Sequence, residues 1–131
     1  MENGNKKKKN YYFIANYDPN FFPKKLKIID KQFIKKNRTI CKIIYRNKLY
    51  ELKEYFEDID INYNHKDEIK IKLVFIHNII DISNMFYNCG SLTSLSFNKE
   101  DEKSLHIPKY IIDIYCKFPN CNSVISFLDI S

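Results

Sequence analysis

The sequence is poor in several residue types that many binding and catalytic sites use. It has no tryptophan, two glycines (Gly4 and Gly90), and only two arginines (Arg38 and Arg46) among 131 residues. Two isolated glycines cannot build the glycine-rich loop that cradles a phosphate, which argues against a nucleotide-dependent enzyme. Arginine reads phosphate and guanine through paired hydrogen bonds, so its scarcity disfavours specific nucleic-acid recognition.

Long apolar runs are also missing. No stretch approaches the roughly 18 consecutive apolar residues of a membrane-spanning helix. The lysine run at residues 6–9, followed by apolar residues 11–15, imitates a signal peptide, but its apolar part is too short. We therefore expect no transmembrane segment and, by default, a cytoplasmic location.

Potential metal ligands and nucleophiles are scattered along the chain. The four cysteines are Cys41, Cys89, Cys116 and Cys121, and their spacings do not match a zinc site. We expect buried free thiols, no metal and no cofactor. The acidic residues between positions 51 and 60 alternate with apolar ones, which is typical of a solvated helix face and not of a catalytic carboxylate pair. No catalytic residue is indicated, so we expect a protein that is not an enzyme.

Isoleucine, lysine and asparagine are abundant. The chain contains 21 Ile, 20 Lys and 15 Asn and has a formal net charge of +6. These residues share A/T-rich codons, so genome composition accounts for much of the lysine. Nucleic acid is therefore an unlikely partner, although binding of nucleic acid or an anionic surface by the lysine-rich start of the chain stays open as an alternative function.

The pattern divides the chain into three segments. Residues 1–22 lack a clean period and are predicted to be a flexible basic and aromatic tail. Residues 23–76 are predicted to form a small α+β domain, with a strand at 26–29, a helix capped by Asp30, a hairpin turning at Arg46 and Asn47, a second helix over 52–59 and a strand over 69–76. Residues 77–131 contain a repeat.

The repeat is visible when the sequence is shifted against itself. Residues 79–82 and 111–114 both read Ile-Ile-Asp-Ile, and the same shift places Phe86 on Phe118 and Cys89 on Cys121. Each copy has an apolar start, a polar turn and a second apolar run. This order suits one coil of a solenoid whose short strands stack on one another.

The first copy also carries a family resemblance. Residues 79–95, I-I-D-I-S-N-M-F-Y-N-C-G-S-L-T-S-L, closely resemble the units of BspA-like leucine-rich repeats, found in surface proteins of bacteria, protists and some giant viruses. Residues 41–56 resemble the leader before such arrays in A/T-rich eukaryotic microbes. The resemblance implies a right-handed solenoid whose strand face binds proteins, with roles in adhesion or attachment and a possible place at the cell surface.

Carried over residue by residue, the resemblance implies a repeat core and a binding face. The implied core positions are Ile80, Ile82, Met85, Phe86, Cys89, Leu92, Leu95, Ile112, Ile114, Phe118, Cys121, Val124 and Phe127. The implied partner-binding positions are Thr93, Ser94, Ser96, Ser126 and Leu128. The expected fold class is thus α+β, a small mixed α/β N-terminal unit capping a right-handed leucine-rich-repeat solenoid of about two coils.

The second copy departs from the pattern, since Lys117 stands where the first copy has Met85, and Pro119 where it has Tyr87. Two coils are fewer than the three or more that a solenoid usually needs. We therefore expect either a partner or self-association at an uncapped C-terminal coil, or a fragment or decaying member of a longer array. The function expected from the sequence is a non-catalytic protein–protein interaction module.

Overall fold

The computed structural model describes residues 11–19, 25–76, 82–99 and 103–119. Its strands are β1 (Tyr11–Tyr17), β2 (Cys41–Tyr45), β3 (Lys48–Tyr50), β4 (Ile69–Phe75), β5 (Leu92–Lys99) and β6 (Leu105–His106). The helices of the described residues are α1 (Lys31–Asn37) and α2 (Lys109–Lys117), and a 3₁₀ turn spans Phe56–Asp58. The six strands form one antiparallel sheet in the order β3-β2-β4-β1-β5-β6.

Strand β1 lies inside the sheet, hydrogen-bonded to β4 on one side and to β5 on the other. Its buried residues alternate along the chain, with Phe13, Ala15 and Tyr17 fully enclosed. Aromatic and β-branched residues favour this extended, packed conformation. The expectation that residues 11–17 belong to a flexible tail is therefore wrong.

The hairpin of β2 and β3 and the strand β4 are confirmed as expected. Tyr45 pairs with Lys48 across a two-residue turn, and both turn residues have positive φ, 50° at Arg46 and 65° at Asn47. This left-handed pair is the turn whose twist matches that of an antiparallel hairpin. In β4 buried residues alternate with exposed or partly exposed ones along its whole length, as a half-buried strand requires.

Helix α1 is also confirmed. The Asp30 carboxylate accepts a hydrogen bond from the backbone N–H of Gln32 at 2.9 Å and so caps the first turn. Phe33 then points into the core, where its ring meets that of Phe75 edge-on at 6.2 Å. By contrast, residues 26–29 form one isolated bridge, Lys27 to Tyr55, instead of a strand, and residues 52–59 supply only the 3₁₀ turn instead of a helix.

The core lies between one face of the sheet and a layer made of α1, α2 and residues 82–90. Phe13 is at its centre, with the rings of Phe97 at 5.2 Å, Phe75 at 6.0 Å and Phe86 at 6.4 Å. Tyr115 of α2 packs edge-on against Phe86 at 6.0 Å. Aromatic contacts of this kind add to the stabilisation from burial alone.

The leucine-rich-repeat solenoid is wrong, and so is the α+β description built on it. The described residues form a mostly β fold around a single antiparallel sheet. The two repeat copies differ in local structure: residues 83–88 are consecutive turns, whereas residues 115–117, which match 83–85, form the last turn of α2. Met85 is fully buried while Lys117, its counterpart, is exposed. Units with opposite burial cannot stack as equivalent coils. The C-terminal coil that was expected to self-associate needs residues 120–131, which lie outside the described residues.

Candidate interaction surface

The sheet has a second face that points away from the core, here called the outer face. In an antiparallel sheet, directly paired residues project to the same side. Pairing across the six strands therefore places one row on this face, which runs Leu49, Ile44, Lys72, Ile14, Ser96, His106. A second row beside it runs Lys42, Val74, Tyr12, Asn98, and a third runs Lys70, Asn16, Ser94.

Five of the nine outward-facing residues on β3, β2, β4 and β1 are apolar, and they are in contact with solvent. Leu49 is 67% exposed although it lies in a strand. Ile44, Ile14, Val74 and Tyr12 are partly exposed. Single exposed apolar residues are ordinary, but neighbouring ones on adjacent strands make a continuous patch, and such patches mark interaction sites.

Lysines surround and interrupt this apolar patch. Lys70 is exposed, and Lys72 lies with its ammonium 4.0 Å from the centre of the Tyr12 ring, close enough for a cation–π contact. Lys42 forms an ion pair with Glu51, which follows β3, and also donates a hydrogen bond to the carbonyl of Arg38 at 3.2 Å. The hydrogen bond from Lys42 lowers the pKa of the Glu51 carboxyl.

The β5 side of the outer face is polar and internally hydrogen-bonded. Asn16 donates to the Ser94 hydroxyl at 2.6 Å, and the Thr93 hydroxyl donates to the carbonyl of Asn16 at 3.1 Å. The Asn98 amide donates to the Ser96 hydroxyl at 3.2 Å. Thr93 and Ser94 are exposed, whereas Ser96 is only 7% exposed. Of the partner-binding positions from the sequence, Ser96 is therefore not available to a partner, and Ser126 and Leu128 lie outside the described residues.

The structure buries some of the predicted repeat-core positions and exposes others. Those that are buried are Ile82, Met85, Phe86, Cys89, Leu92, Leu95 and Ile112. Ile114 and Phe118 were expected in the core and are instead 38% and 57% exposed. In α2, Ile112 faces the sheet, and two further residues along a helix point to nearly the opposite side. Ile80, Cys121, Val124 and Phe127 lie outside the described residues.

A polar cleft of about 520 Å³ opens beside α1, lined in part by Lys27, Asp30, Glu54 and Tyr87. Lys27 pairs with Asp30 at 2.6 Å and with Glu54 at 3.5 Å. Burial acts to lower the pKa of Lys27, but the hydrogen bond to Asp30 and the nearby negative charge outweigh it, so the pKa is raised. Lys27, Asp30 and Glu54 thus satisfy one another and hold α1 in place, which accounts for these three charges without a ligand.

A second polar cluster closes the loop after the 3₁₀ turn. His65 lies 2.5 Å from the Glu57 carboxylate, which also accepts the backbone N–H of Leu26 at 3.0 Å. Tyr63 packs its ring against Phe56 and donates its hydroxyl to the carbonyl of Asp67 at 2.7 Å. Burial raises the pKa of Tyr63 to about 12. The cluster therefore ties the loop to the core, a structural role that its contacts explain fully.

The thiols of Cys41, Cys89 and Cys116 are free. Burial raises the pKa of each of them, to about 11 at Cys116. The Cys116 thiol donates to the Cys89 carbonyl at 3.3 Å. Among the residues described, three or more histidine, cysteine or acidic side chains do not come together as they would in a metal site.

No helix within the described ranges combines the length and apolar character needed to cross a bilayer. Comparison of the chain with models of protein families, with curated proteins and with solved structures gives no match in any of the three. The resemblance of residues 79–95 to BspA-like repeats therefore has no support from a family model, and the solenoid it implied is contradicted by the sheet.

Proposed function

We propose that this chain is a non-catalytic protein-interaction module that receives its partner on the outer face of the sheet. The observation that carries the proposal is the apolar patch over β3, β2, β4 and β1, with Leu49 two-thirds exposed at one end. A sheet with one face packed by helices and an apolar second face in solvent gains free energy when another element covers that face.

The polar clusters and thiols elsewhere in the described residues support this proposal, because contacts within the chain account for them. Lys27 in the cleft beside α1 is paired with Asp30 and Glu54, and His65 contacts the Glu57 carboxylate. The thiols of Cys41, Cys89 and Cys116 have raised pKa values and are poor nucleophiles at neutral pH. The outer-face patch, in contrast, has apolar area in contact with water that no packing in the described residues accounts for.

Site-specific photo-crosslinking tests the proposal. Benzoylphenylalanine is placed at Leu49 on the outer face and, as a matched control, at Ile61, which is 88% exposed in the loop after the 3₁₀ turn. We expect a discrete adduct from position 49 in lysate, absent from position 61. It should be competed away by unlabelled protein but not by the Leu49→Asp variant.

Two results would contradict the proposal. Identical adducts from both positions would show that exposure alone determines crosslinking. An adduct from position 49 that nuclease removes would assign the outer face to nucleic acid instead of protein.

A further inference from the structure

The charged residues that the strands place on the outer face are all basic. Its basic members are Lys42, Lys70 and Lys72, on the adjacent strands β2 and β4. None of the other outward-facing residues in the six described strands is acidic. Glu51 is the nearby carboxylate, and it is already paired with Lys42. The patch therefore presents two lysines, Lys70 and Lys72, whose charge has no acidic partner in the sheet.

The lysines are arranged around the apolar residues. The register places Lys42 beside Val74 in one row and Lys72 between Ile44 and Ile14 in the next. Lys70 lies one row further, about 7 Å along β4 by the rise of a strand. The Lys72 ammonium lies over the ring of Tyr12, in the neighbouring row. A partner that covers the row of Ile44 and Ile14 thus has Lys72 on one flank and Lys70 on the other, whereas Lys42 is paired with Glu51.

The size of the patch matches a short helix. From Leu49 in β3 to Ile14 in β1 the row crosses three inter-strand gaps, which is about 14 Å at the usual strand spacing. Between two and three turns of an α-helix cover that length. Helices α1 and α2 already cover the other face of this sheet, and a helix on the outer face would complete a three-layer arrangement.

From this placement we infer that the partner's binding element is an amphipathic acidic helix, with aliphatic side chains along one stripe and glutamate or aspartate on its flanks. The inference rests on the proposed function, because it names the partner chemistry of the same outer face. Carboxylates beside the stripe would meet Lys70 and Lys72, while the stripe covers Ile44 and Ile14. Charge complementarity of this kind increases the association rate and excludes basic competitors.

Three defined probes test the inference by fluorescence anisotropy. The first is a labelled 16-residue synthetic peptide with leucine at helical spacing and glutamate on the flanks. The second has lysine in place of every glutamate, and the third is a labelled 12-nucleotide oligothymidine. We expect the glutamate peptide to bind at least ten times more tightly than either of the others, and we expect its affinity to fall as salt is raised from 50 to 500 mM.

Charge reversal supplies the matched variants. The pair Lys70→Glu and Lys72→Glu should weaken binding of the glutamate peptide at least tenfold and increase binding of the lysine peptide. The pair Lys31→Glu and Lys35→Glu, on exposed positions of α1, makes the same change in net charge away from the outer face and should leave the preference intact. Lys70→Glu alone, at an exposed position, shows the same direction of change if the double variant folds poorly.

Equal affinity for the two peptides, equal effects of the two variant pairs, or a preference for oligothymidine would each overturn the inference. These results are distinct from failure of the proposed function. A discrete protein adduct at position 49 together with no preference for the acidic peptide would leave the interaction module standing and remove only the partner chemistry.

Discussion

Replacing Phe13 with alanine tests the central place of β1 in the sheet. Phe13 is fully buried and contacts the rings of Phe97, Phe75 and Phe86. Removal of a buried phenylalanine typically costs about 3–5 kcal/mol, because transfer free energy and packing are both lost. With three ring neighbours, we expect the loss to lie in the upper half of that range, about 4–5 kcal/mol. In a flexible tail the same change would cost almost nothing.

Urea unfolding followed by circular dichroism measures this loss. A decrease of about 4 kcal/mol would lower the urea midpoint by roughly 1.3–4 M for a small domain. The matched control is Phe118→Ala, since Phe118 is 57% exposed, and surface changes usually stay within about 0.5 kcal/mol. If Phe13→Ala leaves too little folded protein, Phe13→Leu gives a smaller loss in the same direction. A loss at Phe13 no larger than that at Phe118 would refute the position of β1 in the core.

Three further changes have expected outcomes that equilibrium urea unfolding can measure. Tyr17→Phe removes the buried hydroxyl that donates to the carbonyl of Ile28 at 2.7 Å; we expect a loss of about 1–3 kcal/mol, and an unchanged midpoint would show that water replaces the bond. Changing Arg46→Asn and Asn47→Gly places residues that tolerate positive φ in the hairpin turn, so we expect a gain of about 0.5–1 kcal/mol, and a decrease would argue against the turn. Burial raises the pKa of Cys116 from 9.0 to about 11, so the stabilisation that the protonated thiol contributes is complete below pH 9 and is lost as the pH rises through 11. Over this pH interval the urea midpoint of the unchanged protein should fall more steeply than that of Cys116→Ala. Parallel plots of midpoint against pH would exclude Cys116 as the cause.

Local signals in the sequence predicted the elements that depend on local interactions. Asp30 marked the start of α1 because a carboxylate can satisfy free N–H groups of the first turn. Arg46 and Asn47 marked the hairpin, because two polar residues separate two β-rich runs. The alternation in β4 indicated one buried face, and the structure has it. Each of these signals lies within a few residues of the structure it predicts.

Strand β1 was missed because its two faces are both rich in apolar residues. Phe13 is buried while Tyr12 and Ile14, on the other face, are only partly exposed. A strand inside a sheet therefore reads as a continuous apolar run with no period of two. The outer face was missed for a related reason, since it depends on pairing between strands that are far apart in the sequence.

The repeat led to a wrong prediction of the fold because matching residues in the two copies have different surroundings in the structure. Phe86 and Phe118 occupy matching positions, yet the first is fully buried and the second is 57% exposed. Phe86 packs against Phe13 of the sheet, whereas Phe118 directly follows helix α2, whose last residue is Lys117. The substitution of lysine for Met85 was the sequence signal that the second copy could not be buried in the same way.

The position of β1 between β4 and β5 also has a consequence for how the chain reaches its fold. Asn16 of β1 and Ser94 of β5, which are hydrogen-bonded, are separated by 78 residues in the sequence. During synthesis β1 leaves the ribosome long before either neighbouring strand has been made. Its apolar residues are exposed during that time, and the N–H and C=O groups on both of its edges have no partner strand. Contacts this distant in sequence slow folding to the millisecond-to-second range. Until β4 and β5 have been made, β1 is therefore a segment through which the nascent chain can aggregate, and a chaperone that binds extended aromatic segments would protect it.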